Sequence, residues 1–118
     1  MTEKTVLSSA ESLLEGSACV VFSTCPNEEE ALRLARALVD ERLCACVNVI
    51  PGVRSIYRWQ GAVEDAHEHL LLIKTSRERL LALERRMSEL HSYDTPEVIA
   101  VPIAFGSRKY LDWLENQL

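Results

Sequence analysis

The chain has 118 residues, 47% of them apolar and 26% charged, with a net charge of −5. That length favours one domain with a small core, and the acidic balance argues against a nucleic-acid partner, which needs a basic footprint to displace counterions. No segment reaches the ~20 apolar residues that span a bilayer. Residues 1–16 lack the basic start and apolar run of a secretory signal, so no membrane partner and a cytoplasmic setting are expected.

Residues 1–17 are polar apart from a few leucines, and read as a tail with a short helical turn around Ala10–Glu15. Residues 18–118 form the single domain. Cys19–Thr24 is a β-branched apolar run and predicts a buried strand, ended by Pro26. Asn27 with Glu30 three residues on has the form of a capping box. Ala31, Leu34, Ala35 and Leu38 then recur at helical spacing, which predicts an amphipathic helix over 27–42 with Glu28 and Glu29 at its positive end. Residues 43–59 read as one long extended stretch, interrupted by Pro51–Gly52, where a bulge or an edge position is expected. Beyond it, Val53, Ser55, Tyr57 and Trp59 share one face, and Arg54, Ile56 and Arg58 the other. Gln60–Gly61 predicts a hairpin turn, and 62–75 the returning strand. Thr75 and Glu78 repeat the capping-box pattern before Leu80, Leu83, Met87 and Leu90, which mark a second helix over about 76–91. A loop from His91 leads to a last strand over 98–103. Ser107 caps a closing helix, 107–117, with Tyr110, Leu111 and Trp113 available for packing. The order β-α-β-β-α-β is that of the split βαβ, an α+β ferredoxin-like sandwich.

In that topology two helices cover one sheet face, and the other face should alternate to polar. The strand segments CVVF, CACV, LLLI and VIAVPI are instead apolar on both parities. With no chain left to supply a second cover, another subunit is the expected one. The hairpin arm of residues 43–59 and 62–75, about 50 Å at ~3.3 Å per residue, is expected to reach onto that neighbour with Tyr57 and Trp59.

Four cysteines in a reducing compartment read first as thiols. Cys44 and Cys46 flank Ala45 and are expected on one strand face, either as two small buried hydrophobes or as soft-metal ligands. His67 and His69 likewise share a face, either solvated or as a ligand pair. A two-residue turn at 60–61 places His67 opposite Arg54, too far along the ladder for these pairs to form one site. His91, at a helix end, reads as a dipole-compensating cap or as a ligand completed from elsewhere. Lys74, at a strand end, can snorkel to water or pair with Glu97 or an anionic ligand. Phosphate-cradling glycine loops, nucleophile elbows and HExxH are all missing from the sequence, so no enzyme is expected.

Residues 44–59, CACVNVIPGVRSIYRW, continued by Gln60–Gly61, resemble the long hairpin of the CutA family of divalent-cation tolerance proteins, with its C-x-N-x-I-P-G and S-x-Y-x-W-x-G patterns. Lys74–Thr75 matches the family's strand-ending K-T. Residues 91–97 resemble its H-P-Y-x-x-P-E loop, and Tyr110-Leu111-Asp112-Trp113 its closing Y-L-x-W. The similarity runs over about 18–117. It implies a ferredoxin-like fold, a homotrimer, a cytoplasmic setting and a role in tolerance of divalent cations, notably copper, with no organic cofactor. Some bacterial relatives are credited with copper ligands at a cysteine ending the first strand and a His-His pair. Here Ser23 and Leu90 occupy two of those positions and His91 the third, while Cys25 lies two residues on with the same parity and Ser92 replaces the usual proline. The soft-metal set this implies is Cys46 and His91, with Cys44 or Cys25, for an ion such as Cu(I). A second expectation is a trimeric sensor resembling the PII proteins, with a small molecule held in inter-subunit clefts near Tyr57, Trp59, Lys74, Tyr93 and Glu97. A non-catalytic scaffold is the third.

Overall fold

The structure, a computed structural model, describes residues 17–118. The helical turn expected around 10–15 lies outside them. The elements are β1 (Ala18–Cys25), α1 (Glu28–Asp40), β2 (Cys46–Trp59), β3 (Ala62–Ser76), a 3₁₀ turn (Arg77–Arg79), α2 (Leu80–Leu90), β4 (Ile99–Pro102) and α3 (Arg108–Asn116). The sheet is four-stranded in the order β2-β3-β1-β4, and every neighbouring pair is antiparallel. The β-α-β-β-α-β order expected from periodicity is the order observed, followed by the closing helix.

Alternation sorts the sheet into two faces. Val21 and Cys25 of β1 and Leu71 and Ile73 of β3 pack with Leu34 and Leu38 of α1 and Leu83 and Met87 of α2, and all are fully buried. Each such aliphatic side chain contributes about 1.5–3 kcal/mol of transfer free energy. On the other face Val20, Phe22, Leu72 and Lys74 are half-buried. Part of the cover expected from a second subunit comes from the chain itself: α3 packs against β1 and β3. The residue it buries is Leu114, while Tyr110 and Trp113 stay 40% and 43% exposed. β4 is exposed along its whole length, and Ile56, Val63 and Trp59 are exposed on the β2–β3 arm. That arm stretches the molecule to 60 × 27 × 24 Å.

Four boundaries differ from the sequence reading by more than the fraying of an end or carry a physical reason. α1 ends at Asp40 because the chain turns through a left-handed Arg42 (φ 58°). Leu43 N–H then bonds Leu38 O and Arg42 N–H bonds Val39 O, closing a Schellman motif. β2 begins at Cys46, not at 43. β3 continues through Thr75 to Ser76, so the Thr75–Glu78 pair caps nothing: Thr75 is fully buried, pairs with Cys19, and its hydroxyl donates to Leu43 O at 2.7 Å. α2 starts only at Leu80, after the 3₁₀ turn.

The interruption at Pro51–Gly52 is a β-bulge. Ile50 pairs with Leu70 and Val53 with Glu68, so two residues of β2 oppose His69 alone. Gly52 supplies the positive φ (78°). One extra residue exchanges the faces of β2. Before it, Val47 and Val49 sit opposite Ile73 and Leu71 on the helix-covered face. After it, Val53, Ser55 and Tyr57 sit opposite Glu68, Ala66 and Glu64 on the open one. Gln60 and Gly61, with φ of 48° and 82°, form the expected hairpin turn.

Candidate functional site

The end of β1, the start of α1 and the end of α2 converge. Cys25 is the last residue of β1 and faces the core. Asn27 Oδ1 accepts the Glu30 N–H at 2.8 Å, which starts α1 and places Glu30 in its first turn. The reciprocal half of the capping box is not made. The Glu30 carboxylate instead accepts the N–H of Ser92 at 3.0 Å, 62 residues away in sequence. His91 ends α2, its N–H still bonded to Met87 O.

The His91 ring is held from both sides. Its Nε2 lies 2.8 Å from Thr24 O, and its Nδ1 lies 3.0 Å from the Tyr93 nitrogen. A carbonyl only accepts and a backbone N–H only donates, so Nε2 carries the proton and Nδ1 is the acceptor, the pattern of a neutral imidazole. Glu30 Oε2 is 3.4 Å from Nδ1, and Cys25 Sγ is 3.8 Å from Nε2. One ligand atom each from Cys25, Glu30 and His91 lies within 4.8 Å of the others, and all three residues are buried.

The charges around this cluster are defined. Burial works against ionisation of Glu30. The Ser92 hydrogen bonds and the Arg33 charge outweigh it and hold the carboxyl below the usual carboxylate range. Burial pushes the Cys25 thiol up to about 12, and the charges of Glu30 and Glu68 add to the shift. The cluster is therefore a thiol, a carboxylate and a neutral imidazole. Tetrahedral bonds of about 2.0–2.3 Å put ligand atoms roughly 3.3–3.8 Å apart, so three ligand atoms within 4.8 Å need a modest contraction to hold one ion, with His91 offering it one of its two ring nitrogens. An ion entering here displaces the Cys25 proton, and the imidazole releases Thr24 O or the Tyr93 N–H.

On the open face, next to the cluster, the loop after α2 folds over the base of the arm. It closes a cleft of ≈ 770 Å³ whose lining includes Thr24, Tyr57, Trp59, Glu68, Tyr93 and Glu97. The Tyr93 hydroxyl donates to Glu68 Oε2 at 2.7 Å. Burial, then that bond and the Glu68 charge, push the Tyr93 hydroxyl well above its ordinary range.

The sequence-predicted residues divide between these places and others. Cys25 and His91 come together, and Glu30, read only as a capping residue, joins them. Cys44 precedes β2 and is buried in the core, whereas Cys46 is half-buried on the opposite face, so the pair does not share a face as expected. Cys46 sits opposite Lys74, and Cys25 opposite His69. The offset of five residue steps between them on β3 spans about 17 Å, and the sheet itself intervenes. Cys46 and Cys44 therefore do not join His91 in one subunit. All four cysteines are free thiols. Lys74 Nζ donates to Asn48 Oδ1 at 2.6 Å and lies 5.9 Å from the centre of the Tyr110 ring, away from Glu97. Tyr57, Trp59, Tyr93 and Glu97 do line one cleft. His67 is exposed opposite Arg54, as the turn arithmetic required. His69 is half-buried rather than solvated, and its Nδ1 is enclosed with no hydrogen-bond partner among the described residues. Glu68, passed over in the sequence, is 6% exposed. Its one available signal was a carboxylate two residues before an apolar run.

No helix among the described residues is long and apolar enough to cross a membrane. Residues 19–117 match the family described as CutA1 divalent ion tolerance protein. The chain is 55% identical over 97 residues to the "Divalent-cation tolerance protein CutA" of Thermus thermophilus, covering 82% of this chain and 94% of that one. It is 50% identical over 97 residues to "Protein CutA, chloroplastic" of Arabidopsis thaliana, with 82% of this chain aligned but only 53% of the plant protein, so it spans about half of that relative's length. Among solved structures, CutA from Synechococcus elongatus superposes with a TM-score of 0.85 at 35% identity, over 90% of this chain and 94% of that one. With most of its length matched at this level of identity, the chain belongs to the CutA1 divalent ion tolerance family.

Proposed function

We propose that this protein serves divalent-cation tolerance by direct, non-catalytic metal binding at Cys25, Glu30 and His91, and that it acts as a cytoplasmic homotrimer of ferredoxin-like subunits. The observation that carries the metal reading is the convergence of three buried ligand atoms within 4.8 Å from three separate elements. Thiolate and imidazole suit soft and borderline ions, Cu(I) first among them. Trimer formation is supported by the exposed apolar residues of β4, with Ile99 and Val101 56% and 50% exposed, and by an arm with Ile56 and Trp59 uncovered. A hairpin from one copy laid on β4 of the next is a heterologous contact that closes into a ring.

The test is a competition titration of Cu(I) on the reduced protein, paired with native mass spectrometry. A trimer that takes up one ion per subunit is expected. Cys25→Ser and His91→Ala should each weaken binding about tenfold or more, equivalent to ~1.4 kcal/mol, and Cys46→Ser should leave it unchanged. Loss of binding in Cys46→Ser with Cys25→Ser unaffected would overturn the assignment.

A further inference from the structure

Cys25, Glu30 and His91 meet on the side of β1 that the helices cover, and β3 presents a further donor to that same side. His69 is the registered partner of Cys25 across the β1–β3 ladder. It shares the parity of Leu71 and Ile73, both fully buried in the core. Directly opposed side chains have Cβ atoms about 4.5–5.5 Å apart, a span that a thiolate and an imidazole bound to one ion can bridge.

Two buried side-chain polar atoms have no hydrogen-bond partner among the described residues, Ser23 Oγ and His69 Nδ1. Ser23 pairs with Leu71 and lies two residues before Cys25 on the same face. The two orphans therefore flank the Cys25 thiol, one along its strand and one across from it. Buried polar atoms are nearly always paired, and an exception needs a physical reason. The bulge supplies part of it. On β2, His69 is opposed by Pro51 and Gly52, which bring no side-chain donor, and the proline has no N–H either. A neighbouring subunit cannot make up the difference, because Nδ1 is already enclosed within one chain. Of the two orphans, the imidazole nitrogen is the one that suits a soft or borderline ion.

His91 differs in this respect. Both of its ring nitrogens are engaged, with Thr24 O at 2.8 Å and the Tyr93 nitrogen at 3.0 Å, and an ion has to break one of those contacts. His69 Nδ1 has no bond to give up.

We propose that His69 is a further ligand of the metal ion, bound through Nδ1 across the ladder from Cys25, so that one sulfur, two imidazoles and the Glu30 carboxylate surround it. This rests on the metal reading above and adds to it a closed shell of four ligands from four separate elements, the composition of a site that retains its ion. His69 stands outside the 4.8 Å group of the other three. A turn of its ring about the side-chain torsions brings Nδ1 in, and the paired strands stay in place.

The test joins Cu(I) competition titration of the intact, reduced protein to X-ray absorption at the copper edge, which counts imidazoles by their multiple scattering. Wild type should show two imidazoles and His69→Leu one. His69→Leu and His69→Gln should each lower Cu(I) affinity about tenfold, or ~1.4 kcal/mol. His67→Leu, on the exposed part of the same strand, should change nothing. Without metal, His69→Leu should melt above wild type, since it removes a buried atom that has no partner; a lower melting temperature would mean that Nδ1 is satisfied within the protein, against the proposal. One imidazole in the wild type, or wild-type affinity in a folded His69→Leu protein, would overturn it and leave the nitrogen to an ordered water. If Cys25→Ser and His91→Ala still weaken binding in that case, the metal reading stands without His69. If wild type takes up no Cu(I), both fall.

Discussion

Thr75 offers a direct test of what joins the end of β3 to the entrance of β2. Its hydroxyl is fully buried and gives its hydrogen to the Leu43 carbonyl across 32 residues of sequence, joining the end of β3 to the entrance of β2. Thr75→Val keeps the shape and the strand preference but leaves the carbonyl unpaired, at a cost of about 1–3 kcal/mol. Thr75→Ser keeps the bond and deletes one buried methyl, which costs about 1 kcal/mol. Thr75→Ala does both and should cost roughly 2–4 kcal/mol. Urea unfolding followed by circular dichroism measures these differences, at one fixed protein concentration because an oligomer's stability depends on it. The expected order of stability is wild type, Ser, Val, Ala. A Val variant as stable as wild type, or more stable than Ser, would refute the claim that the hydrogen bond and not the methyl fixes this junction.

The Glu30 carboxyl, held below its ordinary value of 4.5, contributes stability that is fully present above that value and is lost as pH falls through the lower folded one. Glu30→Gln should therefore be less stable at neutral pH, yet lose less on acidification, as read from melting temperatures across a pH series. Cys25, with its thiol at about 12, has only about one thiolate in 10⁴ at pH 8. Iodoacetamide followed by mass mapping should label the half-buried Cys46 in the native protein, and Cys25 only on unfolding. Removing the side-chain acceptor that starts α1, by Asn27→Ala, should cost about 1 kcal/mol in thermal unfolding.

Much of this architecture was legible in the residues themselves. Leu34 and Leu38 mark the buried face of α1, and Asn27 and Ser107 do cap their helices, Ser107 Oγ accepting from Tyr110 N–H at 3.2 Å. Turn arithmetic placed His67 opposite Arg54 because Gln60–Gly61 fixes the arm's register. The Thr75–Glu78 signature failed because pairing with Cys19 extends β3, and sheet burial outweighs a local cap. Cys44 and Cys46 failed as a pair because β2 starts at Cys46 and not at 43, which frees Cys44 to turn into the core. Glu30 escaped notice because a capping box is a complete local explanation, and its partner, Ser92, becomes adjacent only once α2 has crossed the sheet. Glu68 sits in a strand whose neighbours include two histidines and a glutamate, and burial of one carboxylate in such a run depends on the bulge and on Tyr93 closing over it.

His91, Ser92 and Tyr93 are three consecutive residues with three different anchors: an imidazole against Cys25, a backbone N–H on Glu30 and a phenol on Glu68. The Tyr93 N–H also bonds the His91 ring, and Thr24, whose carbonyl holds the other ring nitrogen, lines the cleft. The tripeptide is thus a short lever with one arm in each compartment. Thermodynamic linkage makes any coupling across it reciprocal: whatever factor a cleft occupant applies to the affinity for an ion, the ion applies to the occupant. A single pair of titrations, each run with and without the other species, measures that factor from both directions.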